Sequence, residues 1–159
     1  MSYIKEKFYL NKTVLQPANQ IISDSYVEIT GSNCYVDPKL STHKLVYKFS
    51  FYITQNSSDT KFFLHVKLQK SNDEFSSNIV DIEGANYNIA NDTVSGSDHF
   101  YKVSTVLFVV DSFSTPHNLR LVCKAYDTNK TAWTHENRFF DGSTVTDKFY
   151  NTSLVVFEV

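Results

Sequence analysis

Residues 44–54 constrain the fold more than any other stretch of this chain. Leu45, Tyr47, Phe49, Phe51 and Ile53 alternate with Val46, Lys48, Ser50, Tyr52 and Thr54, the two-residue period of a pleated strand with one wholly apolar face. After a polar interval the alternation resumes, with Phe62, Leu64, Val66 and Leu68 against Phe63, His65, Lys67 and Gln69. The short separation predicts that the two runs pair as neighbouring antiparallel strands. An apolar face must be buried against a second layer, so the chain is committed to a packed sheet. Aromatic residues make up 15% of the chain, with 13 Phe and 10 Tyr against one Met and one Trp, a bias toward pleated surfaces.

Residues 1–18 lack a clean period and contain Pro17; they are expected to form an arm preceding a single domain at 19–159. Residues 20–30 read as a first strand interrupted by Ser23-Asp24-Ser25, followed by the turn Gly31-Ser32-Asn33 and a short edge strand at 34–36 that Asp37-Pro38 ends. Residues 78–83 form a short strand on Ile79, Val80 and Ile82. The polar stretch 84–98 is then an exposed connection, with room for one more short strand around Tyr87 and Ile89.

Residues 99–111 carry Phe100, Val106, Phe108 and Val110 on one face and Tyr101, Val103, Leu107 and Val109 on the other. A strand apolar on both sides of an antiparallel sheet needs a cover on each. The core supplies one; for the other, a second copy of the chain is favoured over the N-terminal arm. Residues 118–127 form a half-exposed strand, 131–139 a strand carrying Trp133, and Asp141-Gly142 a turn. Residues 154–159 are expected to lie inside a sheet.

About eight strands at regular spacing, with no helix-period pattern, predict an all-β antiparallel two-sheet sandwich, for which the jelly roll is the commonest arrangement. An immunoglobulin-like sandwich is disfavoured, because Cys34 and Cys123 do not bracket a central Trp. The 159 residues suffice for one domain.

The formal net charge of −2 is scattered, so no basic stripe is present and nucleic acid is not an expected partner. No segment is apolar enough over sufficient length to span a bilayer, and no membrane partner is expected. Cys34 and Cys123 read as two buried free thiols rather than a pair. His43, His65, His99, His117 and His135 are dispersed, without metal-ligand spacing. Nucleophile elbows and phosphate-binding glycine loops are absent from the sequence. Asp73-Glu74, Asp81 with Glu83, or Asp141 with Asp147 offer carboxylates for glycoside cleavage, and Asp92, Asp98 or Asp111 for calcium, but solvated loop carboxylates are the simpler reading. No catalytic residue, cofactor or metal is therefore expected, and the chain reads as non-enzymatic. Among exposed aromatics, Tyr87 and Trp133 are candidate glycan contacts, because a flat ring suits the face of a pyranose.

The segments Leu119-Arg120-Leu121-Val122-Cys123-Lys124-Ala125-Tyr126, Thr134-His135, Phe139-Phe140-Asp141-Gly142 and Leu154-Val155-Val156-Phe157-Glu158-Val159 together resemble something known. They are similar to the last strands of the tumour-necrosis-factor-like jelly rolls found in phage and large-virus structural proteins. There, a strand ending in an aromatic residue leads to a histidine-bearing strand, an Asp-Gly turn and a closing aliphatic strand. The resemblance runs from Leu119 to Val159, and residues 45–53 agree more loosely. It implies a homotrimer on a virion, made in the host cytoplasm and assembled with other virion proteins as a capsid decoration, cement, minor capsid or fibre component. The expected assembly contacts are Val103, Leu107 and Val109, or the opposite set Val106, Phe108 and Val110, with Val155 and Phe157. The alternative is a carbohydrate-binding or receptor-binding β-sandwich module.

Overall fold

The computed structural model describes residues 7–14, 20–38, 42–55, 62–91, 100–126, 132–135 and 152–159. These form eleven strands: β1 (Lys7–Val14), β2 (Gln20–Ile22), β3 (Val27–Glu28), β4 (Cys34–Val36), β5 (Lys44–Gln55), β6 (Phe62–Ser71), β7 (Val80–Asn91), β8 (Phe100–Asp111), β9 (His117–Ala125), β10 (Ala132–Thr134) and β11 (Thr152–Glu158). No helix occurs among the described residues. The strands make two antiparallel sheets, so the expected all-β sandwich is present. In sheet I, β5 pairs along its whole length with β8; on its other side it pairs with β11 and then β10, with β1 beyond β11 and β2 beyond β10. In sheet II, β9 lies between β6 and the short strands β3 and β4, and β7 lies beyond β6.

The core lies between the sheets. Leu45, Tyr47, Phe49 and Phe51 of β5 are fully buried, as are Leu64, Val66 and Leu68 of β6, and all belong to one cluster. Polar groups at the turn after β3 are paired across this core. Tyr47 donates its hydroxyl to the Ser32 carbonyl at 2.5 Å. The Ser32 hydroxyl in turn donates to the Leu121 carbonyl at 3.2 Å and accepts from the Leu121 amide at 3.1 Å. The turn after β3 is thereby joined to both sheets, and burial pushes the Tyr47 phenol well above its ordinary pKa.

Three expectations change. β5 and β6 are not paired but occupy opposite sheets, each between other strands. Side by side they would aim their apolar faces the same way; across the core each face covers the other. The interrupted first strand is two strands, β2 in sheet I and β3 in sheet II, with the crossing at Ser23-Asp24-Ser25. The short strand at 78–83 continues through the supposed connection to Asn91. Its ladder with β6 jumps between Lys67↔Asn86 and Gln69↔Asp81, a bulge in which Gly84 takes φ 72°, a conformation that suits glycine. Part of the expected arm is β1, antiparallel to β11. β11 and β5 separate β1 from β8 in the same sheet, so β1 does not cover the outer face of β8.

The closing strand is held inside sheet I between β1 and β5, as expected, and Lys44 and Val159 exchange backbone hydrogen bonds of 2.9 Å. Of the strand expected at 131–139 only β10 and His135 are described, and the Asp141-Gly142 turn lies outside the described residues.

Candidate functional site

Strand β8 had two apolar faces, and its register on β5 decides between them. Val106, Phe108 and Val110 lie opposite Phe49, Tyr47 and Leu45 and point into the core, where they are 3%, 7% and 8% exposed. They are therefore packing residues rather than surface contacts. Val103, Leu107 and Val109 point outward and are 46%, 60% and 59% exposed.

The outer face of sheet I extends this set across three strands. Phe157, Val46 and Val109 form one cross-strand row; Val155, Lys48 and Leu107 form the next; Tyr52 lies opposite Val103. Val155 and Phe157 are half-buried. Val46 and Tyr52, not among the expected contacts, are almost fully buried within the face. Their signal was parity: they share the face of Lys48 and Ser50, which read as the polar side. A polar row of Ser153, Ser50 and Thr105 crosses the face between Leu107 and Val103. Ser50 and Thr105 hydroxyls share a 2.7 Å hydrogen bond, and Lys44 pairs with Asp111 at the end of the strands.

The outer face of sheet II is different in kind. Arg120 reaches Glu28 at 3.4 Å and donates to Gln69 at 3.0 Å; Gln69 donates to Asp81 at 2.8 Å, and Lys67 to Asp81 at 2.6 Å. The Lys67 ammonium also stands 4.0 Å from the Tyr26 ring centroid, and the Tyr26 hydroxyl meets His65 Nδ1 at 2.5 Å. Partial burial opposes ionisation of Asp81, yet the hydrogen bonds from Lys67 and Gln69 and the Lys67 charge hold its carboxyl below the usual value. Val122, 2% exposed on this face, lies in register with Glu28 and Lys67, whose aliphatic stems flank it.

Tyr87 and Trp133 do not come together. Tyr87 is 57% exposed on β7, beside β8. Trp133 lies on β10, paired with Thr54 on the side of β5 away from β8. A cleft opens between β7 and β8, and two residues that sequence reasoning did not select, Lys102 and Ser104, line it with Tyr87. Ser104 had a signal: it is a hydroxyl on the face that otherwise carries Val106, Phe108 and Val110.

The carboxylates Asp81, Glu83 and Asp111 line one cavity together with Lys44 and Lys70. Among the described residues no three His, Cys, Asp or Glu side chains converge as metal ligands. Asp73 accepts hydrogen bonds from Ser71, from the amide and hydroxyl of Ser77 and from the amide of Asn78, which hold its carboxyl far below the ordinary 3.8. Asp111 is paired with Lys44, whereas Asp92, Asp98, Asp141 and Asp147 lie outside the described residues. Buried His135 takes φ 66°, with Nδ1 3.0 Å from the Thr152 hydroxyl. Both cysteines are buried free thiols, as expected, and burial pushes the Cys123 thiol far above its ordinary value. No protein-family model matches the chain, and comparison with curated proteins likewise finds no significant match.

Proposed function

We propose that the protein is a non-enzymatic jelly-roll subunit that assembles as a homotrimer through the outer face of sheet I. In this reading it serves as a structural component of a viral particle, as a capsid decoration, cement, minor capsid or fibre protein. The observation that carries the assembly is the outward exposure of Val103, Leu107 and Val109, with Val155 in the row of Leu107 and Val46 and Phe157 in the row of Val109. A contiguous apolar patch on a sheet face marks an interaction surface. A closed ring of identical subunits would bury it without leaving an open end.

Support for the jelly roll comes from strand order. The chain changes sheet at β2 to β3, β4 to β5, β5 to β6, β7 to β8, β8 to β9 and β9 to β10, and among the long strands only β6 and β7 form a same-sheet hairpin. That alternation is the pattern of two interleaved Greek keys. The virion assignment rests on the resemblance of residues 119–159 to the viral jelly rolls.

Light scattering on the intact chain tests the assembly. The wild type is expected at three times the chain mass, and Leu107→Asp at one chain mass with an unchanged circular dichroism spectrum. A monomeric wild type, or a trimer indifferent to Leu107→Asp, overturns the reading.

A carbohydrate-binding or receptor-binding module is the second reading. It is favoured by the exposed ring of Tyr87 at the rim of a cleft.

A further inference from the structure

The sandwich is open along one side. Among the described residues β7 is hydrogen-bonded only to β6, and β8 only to β5. Two compartments lie between these edges, of about 250 and 360 Å³, and Tyr87 and Thr105 line both. Ser104 lines the smaller one. It is 5% exposed, and its Oγ has no hydrogen-bond partner. A buried hydroxyl without a partner is uncommon in a native fold and marks a place where a partner belongs.

Lys102 lies two residues away on the same inward face. Its Nζ crosses the cleft to the Ala90 carbonyl at 3.3 Å. Among the described residues no carboxylate pairs with Lys102, as none does with Lys48, Lys70 or Lys124. Tyr87, more than half exposed, offers an aromatic face between the compartments. A cation without an anion, a hydroxyl without a partner and an exposed ring thus meet in a space suited to one or two sugar rings.

We propose that this cleft binds an acidic pyranose, with its carboxylate on Lys102 Nζ, a ring hydroxyl on Ser104 Oγ and its apolar face against Tyr87. The inference rests on the carbohydrate-binding reading and gives it a place and a ligand class. An extended peptide fits less well. The converging groups are side chains set between the sheets, and the contact from Lys102 to Ala90 blocks a strand running along the cleft.

The test uses the intact chain with methyl β-glucuronide and methyl β-glucoside, measured by saturation-transfer NMR and calorimetry, beside an array of acidic and neutral glycans. The glucuronide is expected to bind about tenfold more tightly than the glucoside, the ordinary scale of one charge-assisted hydrogen bond. Lys102→Gln should abolish that preference. Tyr87→Ala should weaken both glycosides about tenfold, as loss of a stacked ring does. Lys102 and Tyr87 lie at the rim, so both variants should keep the wild-type melting curve. Equal binding of acid and neutral glycoside, or binding indifferent to both substitutions, overturns the assignment to this cleft. Silence of the whole array overturns the carbohydrate reading itself.

Discussion

The two outer faces of the sandwich are laid on similar pleats and end differently. On sheet II the side chains of Glu28, Arg120, Gln69, Asp81 and Lys67 join into one hydrogen-bonded chain that flanks the single buried valine of that face. On sheet I the corresponding rows carry Val155, Phe157, Val46, Leu107 and Val109 around Lys48. Along its hydrogen-bonded chain the first is finished as a solvent surface, since its long polar side chains satisfy one another and cover Val122, although Phe63 and Tyr35 stay exposed elsewhere on the same face. The second leaves Val103, Leu107 and Val109 about half exposed. Two adjacent residues of one strand, Leu107 and Phe108, therefore differ in kind: the first is exposed on the face proposed for assembly, the second is packed in the core.

The sharpest way to break this comparison is to place one charge at each of those residues. Phe108→Asp buries an unpaired carboxylate and leaves a cavity, at a cost of about 4 kcal/mol or more, so the chain should lose its cooperative melt. Leu107→Asp should leave monomer stability within about 0.5 kcal/mol of the unassociated wild type. Two variants that melt alike would erase the distinction between the faces.

A smaller effect is expected on sheet II. Arg120→Ala removes the partner of Glu28 and Gln69, and also the guanidinium 4.2 Å from the Phe75 ring centroid. The loss should be about 1 kcal/mol in urea unfolding, with no change in assembled mass. Raising the ionic strength from about 0.05 to about 0.5 M should shrink that loss, because exposed charges are screened, while the apolar assembly on sheet I persists. An assembly that dissociates with salt would reverse the roles given to the two faces.

The smallest effect is on pH dependence. Partial burial and the Lys124 and Lys67 ammonium groups hold His65 below its ordinary 6.5. As pH falls through 6.5 the unfolded chain takes up this proton first. The contribution to stability is thus complete above 6.5 and is lost toward the lower folded-state value. His65→Gln should flatten the stability profile between about pH 7 and pH 5. Asp73, also depressed, acts further down: its contribution is present above 3.8 and declines below it, so Asp73→Asn should lower stability at neutral pH and converge with the wild type in acid. A His65→Gln profile that keeps the wild-type slope would remove His65 from this account.

Much of the fold was legible because a period of two assigns side chains to faces. Leu45 to Ile53, Leu64 to Leu68, and Leu119 to Ala125 entered the core as the alternation required. Period says nothing about neighbours, however. It placed β5 beside β6, when a strand apolar on one face is satisfied equally by a partner across the core. For β8 both faces were apolar, and the choice fell to register, with the Phe108 ring set opposite Tyr47 inside. β7 was truncated in the sequence reading because an edge strand needs few apolar residues: Ala85 and Ile89 suffice inward, while Asn86 and Asn88 face water. The cleft was legible only in fragments. Tyr87 was recognisable as an aromatic in a polar stretch, but its meeting with Lys102 and Ser104 depends on two strands from different sheets.

The placement of β5 also sets the order in which the molecule can be made. Its neighbours in sheet I are reached at Val46↔Val109 and Leu45↔Glu158, so the central strand waits for segments synthesised long after it. Loop closure must precede nearly every rewarding contact, which places refolding on the order of milliseconds to seconds rather than microseconds. During that interval Leu45, Tyr47, Phe49 and Phe51 form a bare, aggregation-prone template. On the ribosome, a nascent chain holding β5 to β8 but not yet β11 would need a chaperone more than the finished protein does.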